Sequence, residues 1–477
     1  MKRFWLVMLS LGIVLAFSAQ AFAVDVKFSG DFYVAGMYVD KTTLNSTDWQ
    51  SIVKEKEVDH AVGPSTGFFY QRLRLETDFV VSPGLTLITR FDAMERIWGG
   101  KRATVATPAA AAADSAQTGY ENENIAFDWA YINYVSPIGI FEIGYMNYGA
   151  TGTVFGNNSV PAGRIKYYYT NGPASLNLAY SKLVDKSLTA ITTTNGNLAN
   201  GYYHTDVDQD VYGIEGVYTW QNGKAGLNVN YYRYADKRPT DNYIKNYFLF
   251  TPYAIAKIGP VTLQAELNYA TGKKIRYDSD ILNTGDPALE HVSLDNISGW
   301  VDVTADFNQF YFGGSVAYVS GDDWKTAHEE GGTINGGIDW SPCLIMFNQD
   351  LTYWAGTLPS YGYAVSATGV KSGAYNDSPM TNAWFYQGRV GVRPTAKLDI
   401  MASVSYADAD QKPQGYAHRS YGWEADLTAT YKITTNLSYM VGGGYFWTGN
   451  YYEGTDEANS GKLNNDYMLI NKLTLTF

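Results

Sequence analysis

The sequence holds one cysteine in 477 residues, only 15 prolines and 17% charged residues, and no long apolar run beyond its first two dozen positions. A single cysteine, Cys343, excludes an internal disulfide framework, a cysteine-based zinc cluster and a covalent c-type haem site. After Ala23 no stretch reaches the ~18 apolar residues that a transmembrane helix needs. No Pro-rich or Ser-rich linker and no composition shift divides the chain, so one domain is expected despite the length. A formal charge of −12 disfavours nucleic acid and favours a surface that attracts cations. G-x-S-x-G, H-E-x-x-H and phosphate-loop motifs are all missing, which removes the usual signatures of serine hydrolases, zinc proteases and nucleotide enzymes.

Aromatic residues are plentiful: 40 Tyr, 21 Phe and 12 Trp. Rings without apolar runs suit a β-barrel wall, where lipid-facing and lumen-facing residues alternate and dilute the hydropathy. The N-terminus reads as a leader. Lys2 and Arg3 precede an apolar run from Phe4 to Phe17, and Ala21-Phe22-Ala23 supplies the small residues of a cleavage site after Ala23. Loss of the two cations takes the formal charge from −12 to −14.

From Val26 onward the chain alternates with period two. Val26, Phe28, Phe32, Val34 and Tyr38 share one face, and Leu469, Leu473, Leu475 and Phe477 share one face at the other end. Tight connections carry Gly, Pro or Asn turn chemistry near 82–84, 136–139, 171–173, 221–224, 259–260, 308–309, 394–397 and 434–436. Long polar connections lie near 39–66, 99–123, 149–163, 184–209, 236–245, 272–296, 321–382, 408–420 and 449–465. Short and long alternate strictly. Eight turns and nine loops give about eighteen strands, with sixteen as the alternative, and place both termini on the short-turn side. The terminal segment Asp466–Phe477 can then pair with Val26–Tyr38 and close the sheet, which removes the exposed edge of each. The uncertain stretch is 321–382, whose apolar Cys343–Phe347 suits an extra hairpin, a segment over the mouth or a partner-facing flap. Phe79, Trp220, Phe307, Tyr431 and Phe477 fall on the outward parity near the turns, as an interfacial girdle would.

The leader, the alternating strands, the one-sided long loops and the terminal Phe resemble a Gram-negative outer-membrane porin over essentially all of the chain after Ala23. FDAMERIWGG, ENENIAFDWAYINYVSPIG and LINKLTLTF resemble segments of porins from sulfate-reducing and related anaerobic bacteria. The resemblance implies an all-β transmembrane antiparallel barrel in the cell outer membrane, passive diffusion of small hydrophilic solutes and ions, a homotrimer, contact with membrane lipid and lipopolysaccharide, and no cofactor. It also implies that Phe477 serves as a signal to the barrel-assembly machinery. Gly144–Gly156 is similar to the porin region where the third outer loop folds into the lumen, with Phe155, Asn157 and Asn158 as its edges.

The lumen-facing parity gives Arg72, Arg74 and Glu76 on one strand and Arg90, Asp92 and Arg96 on the next. If the first tight turn pairs Val81 with Leu85, Glu76 faces Arg90 and Arg74 faces Asp92. Opposed charges across an antiparallel pair contribute roughly 0.2–1 kcal/mol each, so a structural ladder is one reading. The other is a permeation field, in which these arginines face Glu266, Asp302 and Asp306 across a water column, with Arg164, Lys166, Arg389 and Arg393 in the same class. Asp206, Asp208 and Asp210 beside His204 offer carboxylates for a hard cation, yet lack the Gly and distal Glu of an EF-hand loop. A solvated acidic loop is the favoured reading of them. His60, His204, His291, His328 and His418 all fall in expected outer loops, where a rim-active hydrolase would carry them. Gly442-Gly443-Gly444 lies in a strand pattern, where glycines relieve crowding or flatten a contact. A substrate-specific channel and a sheath for a redox partner complete the alternatives.

Overall fold

A computed structural model describes residues 24–44, 65–99, 126–148, 151–158, 160–185, 207–237, 243–277, 291–358, 375–454 and 463–477. The expected leader and Ala23, together with His60, His204 and Asp206, lie outside the described residues. The strands are β1 (Asp25–Val39), β2 (Thr66–Ser82), β3 (Leu85–Ile97), β4 (Ala126–Ser136), β5 (Gly139–Met146), β6 (Ala162–Asn171), β7 (Ala174–Val184), β8 (Gln209–Trp220) and β9 (Gly223–Tyr234). They continue as β10 (Tyr243–Ile258), β11 (Val261–Tyr277), β12 (Val292–Asp306), β13 (Phe310–Val319), β14 (Ala383–Thr395), β15 (Leu398–Ala409), β16 (Ser420–Lys432), β17 (Leu437–Thr448) and β18 (Asp466–Thr476). Each strand pairs with its neighbours in sequence, and β1 pairs with β18, so the 18-stranded sheet is closed. The eight tight turns and nine long connections fall where the alternation puts them.

Closure is carried by the chain's ends. Val39 opposes Met468 and Asp31 opposes Thr476 in the β1–β18 register, and beyond it Phe477 donates its N–H to the Gly30 carbonyl at 3.1 Å and accepts from the Gly30 N–H at 2.9 Å. Phe477 thus seals the seam, with its ring 48% exposed on the outer wall. Deleting Phe477 should lower the fraction of heat-modifiable, correctly assembled barrel several-fold while leaving the conductance of assembled barrels unchanged. Equal assembly with and without the residue, read from unheated gels, would count against this.

The outer face is apolar, with Ile132, Ile143, Ile214, Val301, Val390, Val404 and Leu427 exposed. Near the turns, Trp220, Phe307 and Tyr431 are exposed and Phe79 is half-buried; nearer the loops, Trp98, Phe127, Tyr145, Trp384, Trp423 and Trp447 are exposed. Such rings suit the two boundaries of a bilayer.

The first hairpin differs in one detail. Ser82, not Val81, opposes Leu85, and Val81 is the extra residue of a bulge. Above it the frame is the anticipated one, with Glu76 opposite Arg90 and Arg74 opposite Asp92.

The 321–382 connection forms no extra hairpin among its described residues. It turns into the lumen, with one short helix, α1 (Gln349–Ala355), capped by the Asn348 side chain, which accepts from the Leu351 N–H at 2.9 Å. Its apolar run packs inside the ring. Ile345, Met346, Phe347 and Leu351 share a core with the inward Tyr33, Ala35, Met37 and Val39 of β1, Phe385 of β14, Phe446 of β17, and Met468 and Ile470 of β18. The main hydrophobic core therefore lies within the barrel, against one side of the wall.

Candidate functional site

Two chain segments share the lumen and meet each other. The third outer connection leaves β5 and brings Thr153 to β11, where Glu266 accepts from the Thr153 N–H and hydroxyl, both at 2.7 Å. Glu266 also accepts from Asn268 at 2.9 Å. Its tip then joins the inserted segment. The Gly156 N–H donates to the Gly336 carbonyl at 3.2 Å, the Ile338 N–H to the Asn158 side chain at 2.9 Å, and the Asn158 amide to Asn335 at 3.3 Å. Gly337, at φ 75°, is needed there, because a Cβ would lie 2.6 Å from the Asn157 backbone.

Phe155 is not an edge of the opening. It is fully buried, stacked on Trp300 of β12 with centroids 6.0 Å apart and edge-on to Trp340 at 5.3 Å. Its ring anchors the loop because apolar area buried among aromatics is worth more than the same area facing water. Asn157 and Asn158 are the members of the expected trio that border open space, beside a cavity of about 390 Å³ whose other lining residues include Tyr148, Arg164, Asn228 and Asn230. The Tyr148 phenol donates to Asn230 at 2.8 Å. Burial, then the Glu215 charge, pushes that phenol up to about 12, so it remains a neutral donor.

The inward charges form closed local pairs rather than opposed banks. Arg74 grips Asp92 through two bonds of 2.8 and 2.6 Å and reaches Asp128 at 3.4 Å. Arg90 does not pair with the facing Glu76. It turns to Asp128 of β4 at 2.8 Å, and its guanidinium lies 3.2 Å from the Trp129 ring centroid. A flat cation over an indole is well placed there. Arg72 lies 3.7 Å from Glu95. Arg96 is not in the lumen: a bulge after Ala93 sets it opposite the outward-facing Gln71, whose side chain accepts from the exposed Trp98. The acids expected across the water column have their own partners: Asp302 with Arg389 at 2.7 Å, Asp306 with Arg393 at 2.9 Å, and Glu266 with the third connection. Asp306 and Arg393 sit at the turn end of the wall, where Arg393 also reaches Asp399 at 3.1 Å.

Arg164 and Lys166 are buried wall residues. Arg164 donates to the Met146 and Val160 carbonyls at 3.0 and 2.8 Å and to Ser181, holding the root of the third connection. Lys166 lies 3.4 Å from Glu142. Asp208 and Asp210 are not a vacant set of cation ligands, since Lys182 reaches them at 2.7 and 3.0 Å. Asp128, Glu142, Glu215 and Asn228 were not among the expected residues; the last three lie on the inward parity, whereas Asp128 shares the parity of the exposed Ile132 and Tyr134 and is turned to Arg74 and Arg90 by the bulge between Phe127 and Trp129.

Of the loop histidines, His418 lies 3.5 Å from Glu453, and His328 meets the Ser293 hydroxyl through Nδ1. No carboxylate among the described residues hydrogen-bonds His328 to orient it, so a Ser-His-acid triad is not assembled there.

No protein-family model and no curated protein matches the chain. Among solved structures, Pseudomonas aeruginosa OccK2 (OpdF) is similar with a TM-score of 0.49 at 12% identity, over 94% of this chain and 98% of that one. Pseudomonas aeruginosa OpdQ gives 0.48 at 12%, over 95% and 98%. The outer membrane protein OpdK from the same organism gives 0.47 at 12%, over 94% and 99%.

Proposed function

We propose that this chain is an outer-membrane channel that passes small hydrophilic solutes and ions down their gradient through the polar side of its lumen. The observation that carries the reading is a closed ring of 18 strands, apolar outside, whose inner wall is only partly covered. Barrels of 16–18 strands hold an aqueous channel when their own side chains do not fill it. Here the inserted segment and the third connection cover part of the wall, and the remaining lane carries Arg74, Arg90, Asp128 and Glu142, backed by the buried Asp92 and Lys166. Size is limited by the two segments, and charge is graded by the paired ladder. No covalent chemistry is involved.

The cavity of about 390 Å³ favours a second, narrower reading, a channel with a solute-binding step, because amide, phenol and guanidinium groups converge beside the narrowing. Swelling of liposomes containing the purified protein distinguishes the two. Rates that fall steadily with solute size fit sieving, whereas one solute class that saturates and slows the others fits a binding step. No swelling with any small solute from liposomes shown to contain folded barrel would refute both.

A further inference from the structure

The apolar core inside the barrel holds a thiol beside two carboxyl groups that such a core does not ordinarily contain. The Cys343 thiol, the Glu424 carboxyl and the Asp426 carboxyl each present a donor atom within 4.8 Å of the others, and their residues are only 4%, 0% and 7% exposed. Two buried carboxylates are strongly unfavourable without a cation or a full set of donors. No ion pair of the described residues involves either one. Arg389 on nearby β14 is held by Asp302, and Lys472 on β18 faces Asp350.

Glu424 is fixed in place by the Ile345 and Met346 N–H groups at 2.6 and 2.7 Å. Asp426 is less well served. One of its oxygens accepts from Ser403 at 3.3 Å, while Oδ1, buried beside the Glu424 carboxyl and the Leu344 backbone, has no well-formed hydrogen bond of its own. That oxygen converges with Glu424. A Cβ placed on Gly444 of β17 would lie 2.5 Å from Asp426 Oδ1, 3.4 Å from Glu424 Oε1 and 3.2 Å from Leu344 Cβ. The bare glycine is what admits the Asp426 oxygen beside the inserted segment.

We propose that Cys343, Glu424 and Asp426 bind one divalent cation of the zinc class, which fastens the inserted segment to β16. A thiolate among the ligands selects a borderline-soft ion over calcium or magnesium. Ligand atoms around tetrahedral zinc stand roughly 3.5 Å apart, a closure that rotation of the Cys343 and Asp426 side chains toward the fixed Glu424 supplies from the observed spacing. Three protein ligands leave the fourth position to water or to Ser405, which is buried on adjacent β15. Binding releases the thiol proton to solvent. The competing state is a metal-free pair of carboxyls sharing one proton, with the thiol inert.

The test uses the full-length protein in detergent, both as isolated and after refolding with Zn2+, with Ca2+ as the control, since a buried site fills during assembly. After desalting, mass spectrometry of metal content should find about one zinc per chain and no retained calcium. Refolding with Co2+ should give a thiolate-to-cobalt charge-transfer band. In Cys343→Ser and Cys343→Ala that band should vanish and retained zinc should fall by at least about ten-fold, and Asp426→Asn should also lose zinc, all with heat-modifiable barrels. Folded wild type with no zinc above the calcium control would overturn the proposal and leave the shared proton. So would a Cys343→Ser barrel with unchanged zinc and cobalt spectrum. If the variants fail to fold, the cobalt spectrum of the wild type decides alone.

Discussion

Excising residues 322–381 and rejoining the chain with a short Gly-Asn turn will raise single-channel conductance at least about two-fold. The splice is geometrically simple, because Val319 already opposes Ala383 across β13 and β14, so a hairpin turn closes the gap. The size of the effect follows from what the segment covers. The buried wall residues of the main core it shares lie on β12 through β18 and on β1 and β2, nine of the 18 strands. Removing it opens that half of the lumen. The ring should survive, since every strand is bonded to both neighbours without the segment. It should be less stable, because Phe385, Phe446 and Met468, all fully buried, would face water at roughly 25 cal/mol per Å² of apolar area. A folded excision variant that conducts like the wild type would show that the segment does not narrow the path.

Replacing both Arg74 and Arg90 by alanine will shift ion preference toward cations. The two arginines serve Asp92 and Asp128 between them, so the double variant leaves two carboxylates on that wall without a partner. Two unit charges removed at about 7 Å in water change an ion's energy by about 1.2 kcal/mol before screening, and salt near 0.1 M reduces this by about half. The cation-to-anion permeability ratio should rise about three-fold or more, measured as the reversal potential across a salt gradient. Arg90→Ala alone should give a smaller shift, since Arg74 still lies 3.4 Å from Asp128. An unchanged reversal potential in both variants would make the ladder structural only.

The barrel was legible because its signals are local and repeated. Period-two alternation sets the faces, and Gly, Pro and Asn mark the turns, so Ser82-Pro83-Gly84 and Asn171-Gly172-Pro173 could be placed without any partner. The interior was less legible. Residues 335–348 follow no helical or strand period, and their backbone is held by distant side chains, as Glu424 holds Ile345 and Met346. One signal was available. Tyr33, Ala35, Met37 and Val39 make the inward face of β1 apolar, and Phe446, Met468 and Ile470 do the same on β17 and β18. A strand apolar on both faces needs cover inside, and Cys343–Phe347 was the unassigned apolar run. Gly442 and Gly444 belong to the same fit, since Leu344 packs against that inner wall. Parity put Arg74, Arg90 and Asp92 on the inner wall, but a bulge in β3 carries Arg96 to the outer face, and parity does not name partners. Arg90 chose Asp128 on β4 over Glu76 opposite it, because a neighbouring strand offered both a carboxylate and an indole face.

The most direct test of a partly filled, water-conducting barrel is the single-channel conductance of the purified full-length protein in a planar bilayer. The structure predicts discrete current steps whose size scales in proportion to salt concentration, as ions moving through water require, and which are smaller than those of the excision variant. Folded, heat-modifiable protein that inserts into the bilayer yet gives no steps at any salt concentration would contradict it.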